Sequence, residues 1–163
     1  THLDKMSLLR DEPSISFSAV ADTVTYLAAL SNAPSGWPVD SRTVSTEFNP
    51  SADPSISDGR KHYGMDISTQ SRIIPIYATA SGTVVTAQYH SQFGNYVVID
   101  HGNGFTTLYA HCTDLNVAVG DKVKKGDTIA TTGSTGMSTG VHCHYEIQLN
   151  GVYQNPRDYL GEE

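Results

Sequence analysis

From residue 37 onward the sequence predicts an all-β fold, a sandwich or barrel, and three observations carry that prediction. Short runs rich in Val, Ile, Thr and Tyr recur at close spacing, at 73–79, 82–89, 95–100, 104–110, 128–132 and 141–149. Glycines punctuate them, among them Gly82, Gly94, Gly102, Gly104, Gly120, Gly126, Gly133 and Gly136. The last run alternates strictly: Val141, Cys143, Tyr145, Ile147 and Leu149 are mostly apolar, and His142, His144, Glu146 and Gln148 are all polar. Side chains of a strand alternate with period two, so such a run is a half-buried strand with its polar residues on one surface.

The first 36 residues read differently. Ala19, Val20, Val24, Leu27 and Ala28 make an apolar stripe at helical spacing, predicting a short helix from about Ser16 to Leu30. Ser31, Asn32, Pro34 and Gly36 stop it. The stripe needs a cover, so the segment is expected to dock on the following domain or to be the remnant of an upstream one. The expected organisation is a helix and linker at 1–36 and one domain at 37–163. Within that domain HYGMD (62–66) reads as extended, with His62, Gly64 and Asp66 on one face and no side chain on Gly64 to crowd a metal held by its neighbours. The stretch TTGSTGMSTG (131–140) reads as a loop forming one wall of a groove; it lacks the GK[ST] of a phosphate-binding loop. His90 falls in a loop, and His101, in IDHGNGF, at a hairpin turn where a structural hydrogen bond is expected.

Composition narrows the function classes. The chain has 163 residues, 38% hydrophobic and 17% charged, with a formal net charge of −7. That length suits one domain with a core. The acidic balance speaks against a nucleic-acid surface, which calls for a basic stripe. It gives no attraction to an anionic polymer either. No apolar run is long enough to span a bilayer.

The chemistry lies in two short stretches, HYGMD (62–66) and VHCHYE (141–146). Two imidazoles and a carboxylate make a three-donor zinc site with a fourth position open. His62, Asp66, His142 and His144 offer four candidates for three places, so one histidine is left beside the metal as a base. His111, in TTLYAH, is a second spare. Either motif alone arises often by chance; the pairing in a chain with seven histidines is what gives weight.

At these residues the chain resembles the lysostaphin-type, or LytM-domain, zinc endopeptidases. The likeness runs through HYGMDIS, IPIYATASGTVVTA, GNYVVIDHGNGFTTLYAH, VAVGDKVKKGDTIATTGSTGMSTGVHCHYEI and NPRDYL, most of residues 37–160. It implies a mainly antiparallel sheet sandwich or barrel-sandwich hybrid that cleaves peptide bonds of bacterial peptidoglycan, at the cell envelope, outside the cell or on a phage particle. It implies one Zn2+ held by His62, Asp66 and His144, with His142 as general base and His111 stabilising the reacting oxygen. The chain departs from the family pattern at Cys112 and Cys143, where leucine is usual, and before HYGMD, where STEFNP replaces a frequent FG.

The chemistry these residues imply is hydrolytic. Zinc lowers the pKa of a bound water from about 15.7 toward about 7, and a neutral histidine with an ordinary pKa near 6.5 can take its proton. Glu146 shares the face of His144, where it either orients that ring or is a solvated strand-end carboxylate. Tyr109, two residues before His111, is expected on the same face as His111, donating at the site or packing. Cys112 and Cys143 each follow a candidate catalytic histidine, so both point away from the site. They are expected to form a disulfide; the bland alternative is two buried thiols.

Three rival functions fit parts of the same pattern. A LytM-like domain that binds wall or activates a hydrolase without catalysis would have lost ligands, and here the whole set is present. A non-haem iron oxygenase also uses two histidines and a carboxylate, commonly spaced HxD rather than HxxxD. A biotinyl or lipoyl carrier shares the rhythm of VAVGDKVKKGDTIATTG but needs a modified lysine at a tight turn, which is not evident.

Overall fold

The computed structural model describes residues 32–161, part of a compact unit that begins at Asn32. The helix expected at 16–30 lies outside the described residues. The described unit is nearly all β, as expected, and antiparallel throughout its ladders. In chain order the strands are β1 (Thr43–Thr46), β2 (Met65–Ser68), β3 (Pro75–Tyr77), β4 (Gly82–His90), β5 (Gly94–Gly102), β6 (Phe105–Cys112), β7 (Lys122–Val123), β8 (Thr128–Thr131), β9 (His142–Leu149) and β10 (Val152–Gln154). A 3-10 turn at Pro156–Tyr159 comes last, capped by the Asn155 side chain, which accepts from the Arg157 N–H. One sheet runs β1-β2-β9-β6-β5-β4-β7, with β10 extending β9, and β3 and β8 form a second, two-stranded sheet. Neither closes into a barrel.

The core holds the strands in register. In β2, Met65 and Ile67 are fully buried while Asp66 and Ser68 are half-buried. Burying a side chain of that size stabilises by about 1.5–3 kcal/mol. A one-residue slip would exchange the two faces, so these two residues hold Asp66 on the open side. In β9, Cys143, Tyr145 and Ile147 of the expected apolar face are fully buried, but His144 and Glu146 of the polar face are buried as well, so the middle of the strand is covered on both faces rather than half-buried.

A chain of hydroxyls crosses this core. Buried His101 sits with Nδ1 2.8 Å from the Ser81 carbonyl and Nε2 2.8 Å from Thr107 Oγ1. Thr107 is hydrogen-bonded to the Tyr109 hydroxyl (2.8 Å), and Thr79 Oγ1 links to Tyr109 (3.1 Å) and Tyr145 (2.7 Å). His101 thus has the structural role expected of it. Tyr109, by contrast, does not share a face with His111. Between the pairs Val97–Tyr109 and Asn95–Cys112, β6 carries one residue more than β5. That bulge falls at Ala110–His111, where His111 takes a left-handed backbone, φ 62°. It resets the alternation, so Tyr109 turns into the core and His111 toward the cleft.

Cys112 and Cys143 are both fully buried, as their alternation required, but they are free thiols, and the expected disulfide is absent. Burial pushes the Cys112 thiol up to about 12 and Cys143 well above its ordinary range. They behave as small apolar residues filling the core.

Candidate metal centre and cleft

Three segments deliver the donors. His62 is fixed by a two-way backbone bridge to Asn49, each N–H donating to the other's carbonyl at 2.8 Å. The polar loop between them is organised by the buried Asn49 side chain, which donates to the carbonyls of Asp53 and Ile56 and accepts from the Asp53 N–H. Asp66 lies directly opposite His144 in the β2–β9 ladder, and Ser68 opposite His142. Gly64 is the point of closest approach between the segments. A Cβ there would lie 2.5 Å from the Tyr145 carbonyl oxygen, 2.8 Å from Glu146 Cγ and 3.0 Å from the His144 ring. Gly64 was expected to leave space; what it leaves space for is β9 itself.

His62, Asp66 and His144 each offer one ligand atom within 4.8 Å of the others. His62 Nε2 is 3.4 Å from Asp66 Oδ2, and His144 Nδ1 is 2.7 Å from Asp66 Oδ1. A tetrahedral zinc with ligands at about 2.1 Å sets neighbouring donors about 3.4 Å apart, so this donor set fits the ion with small adjustments. The tautomers fit as well. His62 Nδ1 donates to the Glu47 carbonyl (3.0 Å), which leaves the Nε2 lone pair able to ligate an ion. His144 Nε2 is 2.8 Å from Glu146 Oε2, which leaves Nδ1 facing Asp66. Glu146 is only 6% exposed, so of its two expected roles the orienting one is realised. An outer carboxylate on a ligand imidazole is a recurrent feature of zinc sites.

Electrostatics follow from that packing. Burial alone would raise the Asp66 carboxyl; hydrogen bonds and charge from His144 and His62 overcome it and hold the group well below the carboxylate range. Burial would likewise lower His144, but Asp66 and Glu146 on its two nitrogens raise it to about 9. Each nitrogen of this ring thus faces a carboxylate, Asp66 at Nδ1 and Glu146 at Nε2.

The two spare histidines face the same cleft, of about 360 Å³, which is lined also by Gln92, Phe93, Met137, Ser138 and Thr139. The ring centroids of His111 and His142 are 4.9 Å apart. His142 Nε2 is 3.6 Å from Asp66 Oδ1, and its Nδ1 is 2.8 Å from the Gly140 carbonyl and 3.2 Å from Ser138 Oγ. His111 Nδ1 is 2.8 Å from the Thr135 carbonyl. Burial lowers the His111 pKa, partly opposed by that carbonyl, which favours a neutral ring. A carbonyl only accepts, so both Nδ1 atoms carry the hydrogen, and in the neutral form both Nε2 lone pairs are available. The loop 131–140 is therefore the groove wall it was expected to be, and it also sets the orientation of both rings. Phe93, not singled out from the sequence, stacks on His144 with centroids 6.1 Å apart. No periodicity marks it; it comes from the β4–β5 turn.

All five residues picked out from the sequence, His62, Asp66, His111, His142 and His144, thus meet in one cleft. Over 121 residues the chain is 41% identical to the peptidoglycan DD-endopeptidase ShyC of Vibrio cholerae, covering 74% of this chain and 28% of that protein. The chain therefore spans little more than a quarter of that relative's length. A solved zinc-containing peptidase from Vibrio cholerae superposes with a TM-score of 0.67 at 31% identity, over 80% of this chain and 40% of the other. The catalytic domain of the antimicrobial peptidase lysostaphin from Staphylococcus simulans does so with a TM-score of 0.59 at 32% identity, over 71% of this chain and 88% of the other. The model of Peptidase family M23 matches residues 60–156, more than half of the sequence, and this chain belongs to that family, the lysostaphin- or LytM-type peptidases.

Proposed function

We propose that this domain is a zinc-dependent endopeptidase that hydrolyses peptide bonds in the cross-links of bacterial peptidoglycan, acting at the cell envelope. The observation that carries the reading is the convergence of a three-donor cluster with two histidines whose Nε2 atoms are unengaged by hydrogen bonds within one cleft. The named activities of the relatives supply the substrate class. His62, Asp66 and His144 would hold the ion, one per chain. When bound, zinc supplies Lewis acidity, making water a nucleophile near neutral pH and polarising a carbonyl.

The chain's own residues do the rest. His142 accepts a proton from the attacking water at Nε2, while its Nδ1–H stays on the Gly140 carbonyl. Oxygen then bonds to the carbonyl carbon, and the imidazolium returns the proton to the amine nitrogen as the C–N bond breaks. His111, with Nδ1–H committed to Thr135, accepts from the water when neutral. It stabilises the oxyanion only while it carries a second proton. Phe93 packs its ring against that of His144 on one side of the cleft. The complete donor set speaks against a non-catalytic wall-binding domain.

The test is zinc content alongside wall lysis. Purified protein should contain one zinc, lose lytic activity to a chelator and regain it with zinc. Protein without metal, or with iron that zinc cannot replace with activity, would overturn the reading.

A further inference from the structure

We propose that Thr135 is a positioning residue, whose carbonyl and hydroxyl together hold His111 in the Nδ1–H tautomer with Nε2 turned into the cleft. The role rests on the reading of His111 as part of the reaction machinery.

The argument begins with the backbone of His111. A left-handed conformation at a residue with a side chain costs about 1–2 kcal/mol, and β6 adopts it here, at φ 62°. Something must hold it. The His111 N–H donates to the Phe93 carbonyl at 2.7 Å, which fixes one side of the bulge. The other side is held by Thr135, through two different atoms. Its carbonyl accepts from His111 Nδ1 (2.8 Å), and its hydroxyl donates to the carbonyl of the next residue, Cys112 (2.6 Å). The same hydroxyl accepts from the Asn95 N–H at 3.1 Å. One residue thus ties the ring of His111, the strand just after it and the neighbouring strand.

Two glycines make this possible. A Cβ on Gly94 would lie 2.4 Å from the Thr135 carbonyl carbon and oxygen, and one on Gly136 would lie 2.3 Å from the Gly94 nitrogen. The loop and the β4–β5 turn cross with no room for side chains, which brings the Thr135 carbonyl within reach of His111. The Met137 N–H on the Gln92 carbonyl (2.9 Å) also ties this loop, so losing the hydroxyl anchors loosens the Thr135 carbonyl on Nδ1 rather than releasing the whole loop. The ring is then free to carry its hydrogen on Nε2, which removes the lone pair from the cleft.

The experiment uses the zinc-loaded chain, with nitrogen NMR of the His111 ring read beside kcat, KM and zinc content. Wild type should show the Nδ1–H form. Thr135→Ser, which keeps the hydroxyl, should behave like wild type. Thr135→Val, of similar shape without it, should show a tautomer mixture. Its kcat should fall about tenfold, a fraction of the 10²–10⁴ a positioned acid or base contributes, with KM and zinc content unchanged. A wild-type ring in the Nε2–H form overturns the proposal, as does folded Thr135→Val that keeps wild-type tautomer and kcat. Should Thr135→Val fail to fold, the wild-type tautomer and the serine variant decide. An inactive wild type with the Nδ1–H form and a tautomer shift in Thr135→Val would refute the proposed function and leave this positioning role standing.

Discussion

Removing the carboxylate of Glu146 should weaken zinc binding without unfolding the domain. In the structure Glu146 Oε2 accepts from His144 Nε2 at 2.8 Å, and both side chains are at least nine-tenths buried. Outer-shell acceptors of this kind are worth about 10–100-fold in metal affinity, or about 1.4–2.7 kcal/mol at 1.4 kcal/mol per decade. Glu146→Leu removes both charge and acceptor, so it should approach the hundredfold end. Glu146→Gln can still accept from Nε2–H and should lose about tenfold or less. Stability should respond differently. In the metal-free protein leucine leaves one N–H of a protonated His144 unsatisfied, which costs more than the about 1–3 kcal/mol of a neutral donor. Relief of the desolvation of a buried carboxylate offsets part of that, and Asp66 still holds the other ring nitrogen. Zinc affinity is measured by competition with a chromophoric chelator, and stability of the metal-free protein by urea unfolding. The expected order of affinity is wild type, then glutamine, then leucine. A Glu146→Leu protein that binds zinc like wild type would refute the claim that Glu146 orients the ligand ring.

Three further outcomes rest on the same geometry. His142→Ala and His111→Ala should retain zinc and lose about 10²–10⁴ in turnover; if His142→Ala strips the metal instead, the roles of His142 and His144 must be exchanged. Zinc binding at pH 7 should release about one proton, because metal-free His144 titrates at about 9 and must deprotonate to ligate. Stability from this raised pKa is present below about 6.5 and lost as pH rises through about 9. Calorimetry in buffers of different ionisation enthalpy reads the proton release, and heats independent of buffer would contradict it. His101 is buried with a lowered pKa, chiefly through burial, so the unfolded chain takes up its proton first as pH falls below about 6.5. The domain should lose up to about 1.4 kcal/mol per pH unit from this group, and His101→Asn should flatten the acid limb of the stability curve. An unchanged acid limb would show that His101 does not titrate in that range.

What the sequence made legible was whatever alternation and motif spacing encode. Strand β9 carries its two faces in its residue order, and so the placement of His142, His144 and Glu146 on one surface could be read directly. Met65 and Ile67 encode the face of Asp66 in the same way. Tyr109 was misplaced because period-two reading assumes an unbroken strand, and a single bulge residue, His111, resets the phase. The cysteines were rightly turned from the site, but alternation says nothing of whether two inward thiols bond. Thr135 and Gly140 escaped because their contributions are backbone carbonyls, which no side-chain pattern announces. The close crossings at Gly64, Gly94 and Gly136 were visible as glycines but not as contacts, since their partners lie far away in the chain.

The central claim is that this cleft hydrolyses cross-link peptide bonds of peptidoglycan. Mass analysis of the products that the zinc-loaded chain releases from purified peptidoglycans of different cross-bridge types tests it most directly. The account predicts that cross-linked fragments from at least one wall type become monomers, each cut adding one water, and that His142→Ala leaves the same fragments intact. Cross-linked fragments from every wall type surviving digestion by the zinc-loaded wild type would contradict it.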